Sequence, residues 1–230
     1  MNSSWVRTGG QPGRSNQWMT LNDVTTGSCA TCVTAASARC DLARTPDDCP
    51  TRTQPELTHD PGAYLGDDRR ALMAAADLLP FDQDRRLRNR VEELVAFARA
   101  RKVSRVGVAF CVSLIREAQR LGEILAAAGL DPELVCCRVG AIDLAEVGLP
   151  KANPARLVAS CNPVGQARLL NEAGVGLVAQ LGLCLGHDLI LQEECAAPVT
   201  TLVVKDRALD HHPVAALRGP AAGQGAAHPA

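Results

Sequence analysis

The sequence predicts an α/β protein: a mostly parallel sheet of about five strands with flanking helices, preceded by a small cysteine-rich N-terminal module. Three observations carry this expectation. From residue 105 onward, short apolar runs alternate with helix-like stretches. The runs at 106–110 and 175–183 are almost continuously apolar, as parallel strands covered on both faces are. Upstream, the segment 29–49 holds four cysteines and little apolar periodicity, so a hydrophobic core alone cannot staple it.

Taken in order, residues 1–25 are polar and read as a disordered leader. The cysteine-rich module spans 26–60, the α/β domain 61–218, and the low-complexity stretch 219–230 reads as a disordered tail. The spacing predicts a helix over 67–78, with Leu72, Met73, Ala76 and Leu79 on one face and Pro80 as its stop. A second helix is expected over 86–101, burying Val91, Leu94, Val95 and Ala98. A strand over 106–110 ends at Cys111. A helix over 113–128 follows and closes at Gly129. The next strand, 133–139, contains Cys136 and Cys137. After a loop over 141–155, a third strand over 156–160 ends at Cys161. Asn162 as a cap and Pro163 in the first turn open a helix that fades near Gly174. The fourth strand, 175–183, ends at Cys184, and Gly186-His187-Asp188 start a helix in which Cys195 reads as a buried, inert thiol. A fifth strand over 198–204 runs into Lys205-Asp206-Arg207. His211 and His212, followed by Pro213, read as a turn.

Composition narrows the function. The 230 residues carry 24 Lys and Arg against 25 Asp and Glu, a net charge of −1. Such a balance offers no field for nucleic acid or an anionic membrane. No apolar run reaches the roughly 20 residues of a membrane helix. The opening residues lack a signal-peptide core, so a cytoplasmic location is expected. Walker, dinucleotide and G-x-S-x-G signatures are all absent.

The ten cysteines are the anomaly. In a reducing compartment they read as ligands or reactive thiols rather than disulfides. Cys29 and Cys32 form a C-x-x-C pair, and Cys40 and Cys49 can complete a tetrahedron around zinc or hold an iron–sulfur cluster. A redox C-x-x-C is the rival, but it normally follows a core strand, and none precedes Cys29. The second group is Cys111, Cys137 (or Cys136), Cys161 and Cys184. Each sits on or just after a predicted strand, and parallel strands would bring all four to one sheet edge. The helix N-termini at that edge favour thiolate. Four such sulfurs suit a [4Fe–4S] cluster or zinc. Two rival accounts stay open: a metal-independent thiol redox or sulfur-transfer enzyme, and simple packing, because cysteine is a common small core residue. Asn162, His187, Asp188, Lys205 and Asp206 are expected along the same edge. His187 could ligate, move protons or donate to a sulfur, or be held by Asp188. Lys205 with Asp206 could bind an anionic group or form a surface ion pair. A small-molecule substrate or a redox partner fits such an edge.

The segments GVAFCVSLIREA, CCRVG, CNPVGQARLLNEAG, GLCLGHD and PVTTLVVKDR together resemble the DUF1847 proteins, an uncharacterised prokaryotic family. The N-terminal segment ending in Cys49-Pro50 is similar to the family's opening cysteine box. The resemblance spans roughly residues 28–218, with the CNP and GLCxGHD pairing as its most specific part. It implies metal binding through cysteines and no known reaction. The chain departs from the family pattern in a longer Cys32-to-Cys40 interval and in Arg138 where a lysine is usual.

Overall fold

The computed structural model describes Cys29, Cys32 and residues 43–218. The expectations for the leader, the tail and Cys40 lie outside those residues. The chain divides into two compact units, with Arg70 and Ala71 at the boundary.

In the first unit, α1 (Pro50–Thr53) and α2 (Pro55–Thr58) each begin with a proline, whose missing N–H and fixed φ suit a first turn. Cys49 flanks the start of α1 and is buried. Helix α3 (Asp67–Leu78) crosses the boundary, so that Ala71–Leu78 belong to the second unit; it has the bounds its spacing predicts, with Asp67 and Asp68 at its positive end.

In the second unit, α4 (Arg90–Ala100) begins four residues later than the apolar pattern suggests. Asn89 sets that start. Its side chain accepts from Val91 and Glu92 N–H groups while Glu92 reaches back to the Asn89 N–H, a reciprocal cap. Leu72 and Ala76 on α3, with Leu79 just past its end, face α4 across a hollow of about 450 Å³ within the second unit. Leu72 and Met73, expected on the buried face, are exposed, and Ala75 is the buried residue of that helix.

The sheet has four strands among the described residues, all parallel, in the order β2-β1-β3-β4. They are β1 (Arg105–Phe110), β2 (Asp131–Cys136), β3 (Leu177–Leu181) and β4 (Val199–Val203). Helix α5 (Ile115–Ala127) connects β1 to β2 and packs with α4 on one face. Helices α6 (Pro163–Glu172) and α7 (His187–Glu194) cover the other. Strand alternation divides the core accordingly. Val106, Val108, Phe110, Leu177, Ala179 and Leu181 meet α4 and α5, while Ala109, Val178 and Val135 meet α6 and α7. Leu125, Leu170, Leu181 and Leu191 are among the largest fully buried side chains. Each contributes about 1.5–3 kcal/mol by leaving water.

The expected strand over 156–160 does not join the sheet. Leu144 N–H donates to Val158 O at 2.9 Å and Ser160 N–H to Ile142 O at 2.7 Å, an antiparallel pairing with the chain's own preceding loop. Leu157 is 62% exposed, so the run lacks the cover a central parallel strand needs. That segment returns Cys161 to the sheet edge from outside. The strand over 133–139 also ends early, at Cys136, because the chain turns through residues 137–140.

From β1 the chain goes to β2 on one side, then crosses to β3 on the other. The reversal of strand order falls between β1 and β3, and in open α/β sheets the carboxyl ends at such a point are where ligands bind. Gly182 sits there with φ +57°. A side chain on it would collide with Leu114 Cδ1, and the conformation itself disfavours one. Substituting Gly182→Ala is expected to lower stability by about 1–3 kcal/mol. Urea unfolding of the two proteins checks this, and equal midpoints would contradict it.

Candidate functional site

The carboxyl edge of the sheet gathers four cysteines. Phe110 lies opposite Cys136 in the β1–β2 register, so Cys111 and Cys137 follow side by side, one step past the strands. Both belong to the α6/α7 face and are buried, at 6% and 1% exposure. Cys111 is anchored by its N–H to Leu181 O at 3.0 Å, and Cys137 by its N–H to Phe110 O at 2.8 Å. Cys161 comes in beside Cys137, with the two sulfurs 3.7 Å apart. Asn162 holds that approach. Its N–H donates to Cys137 O at 2.7 Å, its Nδ2 to Val139 O at 3.1 Å, and its Oδ1 caps α6 by accepting from Gly165 N–H. Cys184 lies three residues past β3, half-buried, just before α7.

The loop after β4 supplies two cations. Lys205 Nζ lies 3.2 Å from Cys111 Sγ and 2.6 Å from Ser113 Oγ, and the Ser113 hydroxyl is itself 3.3 Å from Cys111 Sγ. Arg207 Nη2 lies 3.1 Å from Cys184 Sγ. Arg207 and Ser113 are site residues that the strand-end pattern alone does not single out. The alternation of Lys205 and Arg207 just beyond a strand is the only sequence signal for the arginine. Asp206 serves the loop instead: its Oδ1 accepts from Ala208 and Leu209 N–H groups at 3.0 Å each. Its own N–H points to His211 Nδ1 at 3.3 Å, so His211 braces the same turn. Lys205 and Asp206 thus form no ion pair with each other; one turns to the sulfurs and the other to the backbone.

At the start of α7, Asp188 Oδ1 accepts from Gly186 and Leu189 N–H groups. It closes the turn and does not hold the His187 ring. His187 is half-buried at the edge, with its N–H on Cys184 O at 2.9 Å. Cys195, expected to be buried, ends α7 half-buried, and what burial it has pushes its thiol up. Of the adjacent pair, Cys137 faces Cys161, while Cys136, at the end of β2, packs partly against both cores.

One environment treats the thiols differently. Burial pushes Cys111 up, but the Ser113 hydroxyl and N–H and the Lys205 ammonium outweigh it and bring it down to about 7. Burial pushes Cys137 up to about 12. A Val112 N–H at 3.4 Å opposes this, and the neighbouring Cys161 and Cys111 reinforce it. Arg207 is held above its ordinary range by its hydrogen bond to Cys184 and that sulfur's charge, with smaller contributions from Cys111 and Cys161. All four sulfurs therefore share one electrostatic neighbourhood.

In the N-terminal unit, burial pushes the Cys49 thiol up, but hydrogen bonds from Thr51, Arg52 and Thr45 bring it below its ordinary value. Cys29 is exposed and Cys32 half-buried. Among the described residues, no three His, Cys, Asp or Glu side chains stand where they could hold one metal ion. Three well-formed hollows lie elsewhere on the second unit, and none is lined by a cysteine.

The Cys111 shift has a definite sign. A group whose folded pKa lies below its unfolded value adds stability that is complete above the unfolded value and is lost as pH falls through the folded one. For Cys111 that window runs from an ordinary 9.0 down to about 7. Cys137 has the opposite sign, and its contribution declines only above 9.0, toward about 12. Reduced, metal-free protein should therefore alkylate at Cys111 with a midpoint near pH 7, about two units below an ordinary thiol. Lys205→Met should move that midpoint upward. Iodoacetamide labelling against pH, read by peptide mass, checks this; an unshifted midpoint in the variant contradicts the role of Lys205.

The profile described as "Protein of unknown function (DUF1847)" matches residues 49–202, a span that holds Cys49 and the whole four-cysteine edge. "Uncharacterized protein MJ0455" of Methanocaldococcus jannaschii is 40% identical over 130 residues, which cover 56% of this chain and 67% of that protein. With more than half of its length matched, this chain belongs to the DUF1847 family of proteins of unknown function.

Proposed function

We propose that this protein binds a thiophilic metal centre, zinc or an iron–sulfur cluster, through Cys111, Cys137, Cys161 and Cys184 at the carboxyl edge of its sheet. The observation that carries the reading is the 3.7 Å separation of Cys137 and Cys161 sulfurs. Two sulfurs bound to one zinc at about 2.3 Å stand about 3.8 Å apart at a tetrahedral angle. That pair therefore already fits one edge of a sulfur tetrahedron. Cys111 and Cys184, from the neighbouring strand ends, supply the rest of the donor set after side-chain rotation. A cluster is the alternative centre for the same four sulfurs. In that case Cys137 and Cys161 must spread onto separate irons.

Charge supports the same reading. Four thiolates around a divalent ion leave two negative charges in excess, and Lys205 and Arg207 bring two positive ones to the same sulfurs. Donors to ligand sulfur hold the ligands in place and tune the metal. Asn162 fixes the backbone of the Cys137–Cys161 pair, and His187 stands close enough in sequence to Cys184 to donate to its sulfur or take a fourth position. When bound, zinc would supply a Lewis acid or a structural clamp, and a cluster would supply electron transfer. The box of Cys29, Cys32, Cys40 and Cys49 is proposed as a second, structural site on the strength of its C-x-x-C pair and cysteine density. No helix among the described residues is long and apolar enough to cross a membrane, and the rim needs none.

Elemental analysis of anaerobically purified protein is the test. The expected result is stoichiometric zinc, or iron with sulfide and visible absorbance. Cys137→Ser combined with Cys161→Ser should remove the rim metal, and Lys205→Met should weaken its affinity by about 10–100-fold. Protein that carries and takes up no metal in reduced form would end the reading.

A further inference from the structure

We propose that Cys137 and Cys161 form an oxidisable dithiol that closes to a disulfide by exchange with low-molecular-weight disulfides. The pair lies on the rim of the proposed metal site, yet the exchange chemistry stands without a metal.

Geometry carries the inference. The two sulfurs are 3.7 Å apart. A disulfide bond is about 2.05 Å long, so they need to approach by about 1.7 Å, within reach of side-chain rotation. The backbones are already clamped together by Asn162 N–H on Cys137 O at 2.7 Å, and Asn162 is fixed in turn by Val139 O and by its cap on α6. The other two rim thiols are engaged otherwise, Cys111 by Lys205 and Ser113, and Cys184 by Arg207. No cation faces Cys137 or Cys161 at hydrogen-bond distance among the described residues. Their sulfurs face each other.

Exposure fixes the order of events. Cys161 is half-buried and open to a small reagent, while Cys137 is 1% exposed. The Cys161 thiolate attacks one sulfur of the reagent disulfide. A mixed disulfide forms and one reagent thiolate leaves. The Cys137 thiol then gives up its proton and attacks the Cys161 sulfur. The protein disulfide forms, and the second reagent half leaves as its thiol. Two protein thiols are oxidised and one reagent disulfide is reduced to two thiols.

The test uses the full chain, reduced and metal-free, incubated with oxidised glutathione, quenched with an alkylating agent and mapped by peptide mass. The expected product is a Cys137–Cys161 crosslink with two fewer alkylatable thiols. Cys137→Ala should leave glutathione stably attached to Cys161, and Cys161→Ala should leave Cys137 reduced. Where Cys137→Ala does not fold, the wild-type map alone decides. Stable glutathione on wild-type Cys161, or crosslinks that join other rim cysteines instead, would overturn the proposal. A parallel sample with added zinc separates the two readings. Zinc uptake without any Cys137–Cys161 crosslink in the metal-free sample leaves the metal site standing and removes the dithiol. A crosslink in protein that takes up neither zinc nor, on anaerobic reconstitution with iron and sulfide, a cluster does the reverse.

Discussion

In a parallel ladder every strand points the same way, and here the register sets Phe110 level with both Cys136 and Leu181. The rest of the candidate site depends on that alignment. Residues one to three positions past the strands must emerge at one edge, and Cys111, Cys137 and Cys184 occupy those positions. Alternation then selects the face. Val106, Val108 and Phe110 commit one side of β1 to α4 and α5, so Cys111 falls on the other, and Cys137 beside it falls there too. A slip of one residue in the β1–β2 pairing would turn Cys137 away from Cys111.

The edge has an electrostatic character that the net charge of −1 conceals. The chain leaves β1 through a short 3₁₀ turn into α5, α6 starts at Asn162, and α7 starts beside Cys184. Free N–H groups and positive helix ends therefore gather where the sulfurs are. Lys205 and Arg207 add full charges from the loop after β4. Against this stands burial, which penalises any thiolate. The balance tips differently at each sulfur. Cys111, touched by Lys205 and Ser113, favours the anion; Cys137, enclosed and flanked by other sulfurs, favours the thiol. The sulfurs therefore differ in character: Cys111 lies against a cation, while the enclosed Cys137 stands in contact with the half-buried Cys161.

The carboxylates and histidines around the rim are mostly architectural. Asp206, Asp188 and Asn162 each spend their side-chain oxygen on backbone N–H groups of a turn or helix start. His211 braces the loop that aims Lys205 and Arg207. These residues shape the rim by fixing where the chain turns, and they leave the sulfur and cationic side chains facing one another.

Much of this was legible in the residues alone. Apolar runs broken by helix-like stretches dictate an α/β fold because strands covered on both faces have no polar side to show. The bounds of α3 and the start of α6 follow from local spacing and caps, which depend only on neighbours in sequence. The gathering of Cys111, Cys137 and Cys184 at one edge follows from strand direction, while Cys161 arrives there from a segment outside the sheet. What the sequence could not decide was the pairing of elements distant in the chain. The run at 156–160 has strand-like composition, yet it pairs with its own loop, because sheet membership depends on cover and partners rather than on propensity. Selecting Cys137 over Cys136 required the register, since adjacent positions differ only in face. Arg207 on Cys184, Lys205 on Cys111 and the contact of Cys137 with Cys161 join residues 23, 94 and 24 positions apart. Only the packed sheet brings such groups within hydrogen-bonding distance, because side-chain contact is a property of space and no spacing along the chain encodes it.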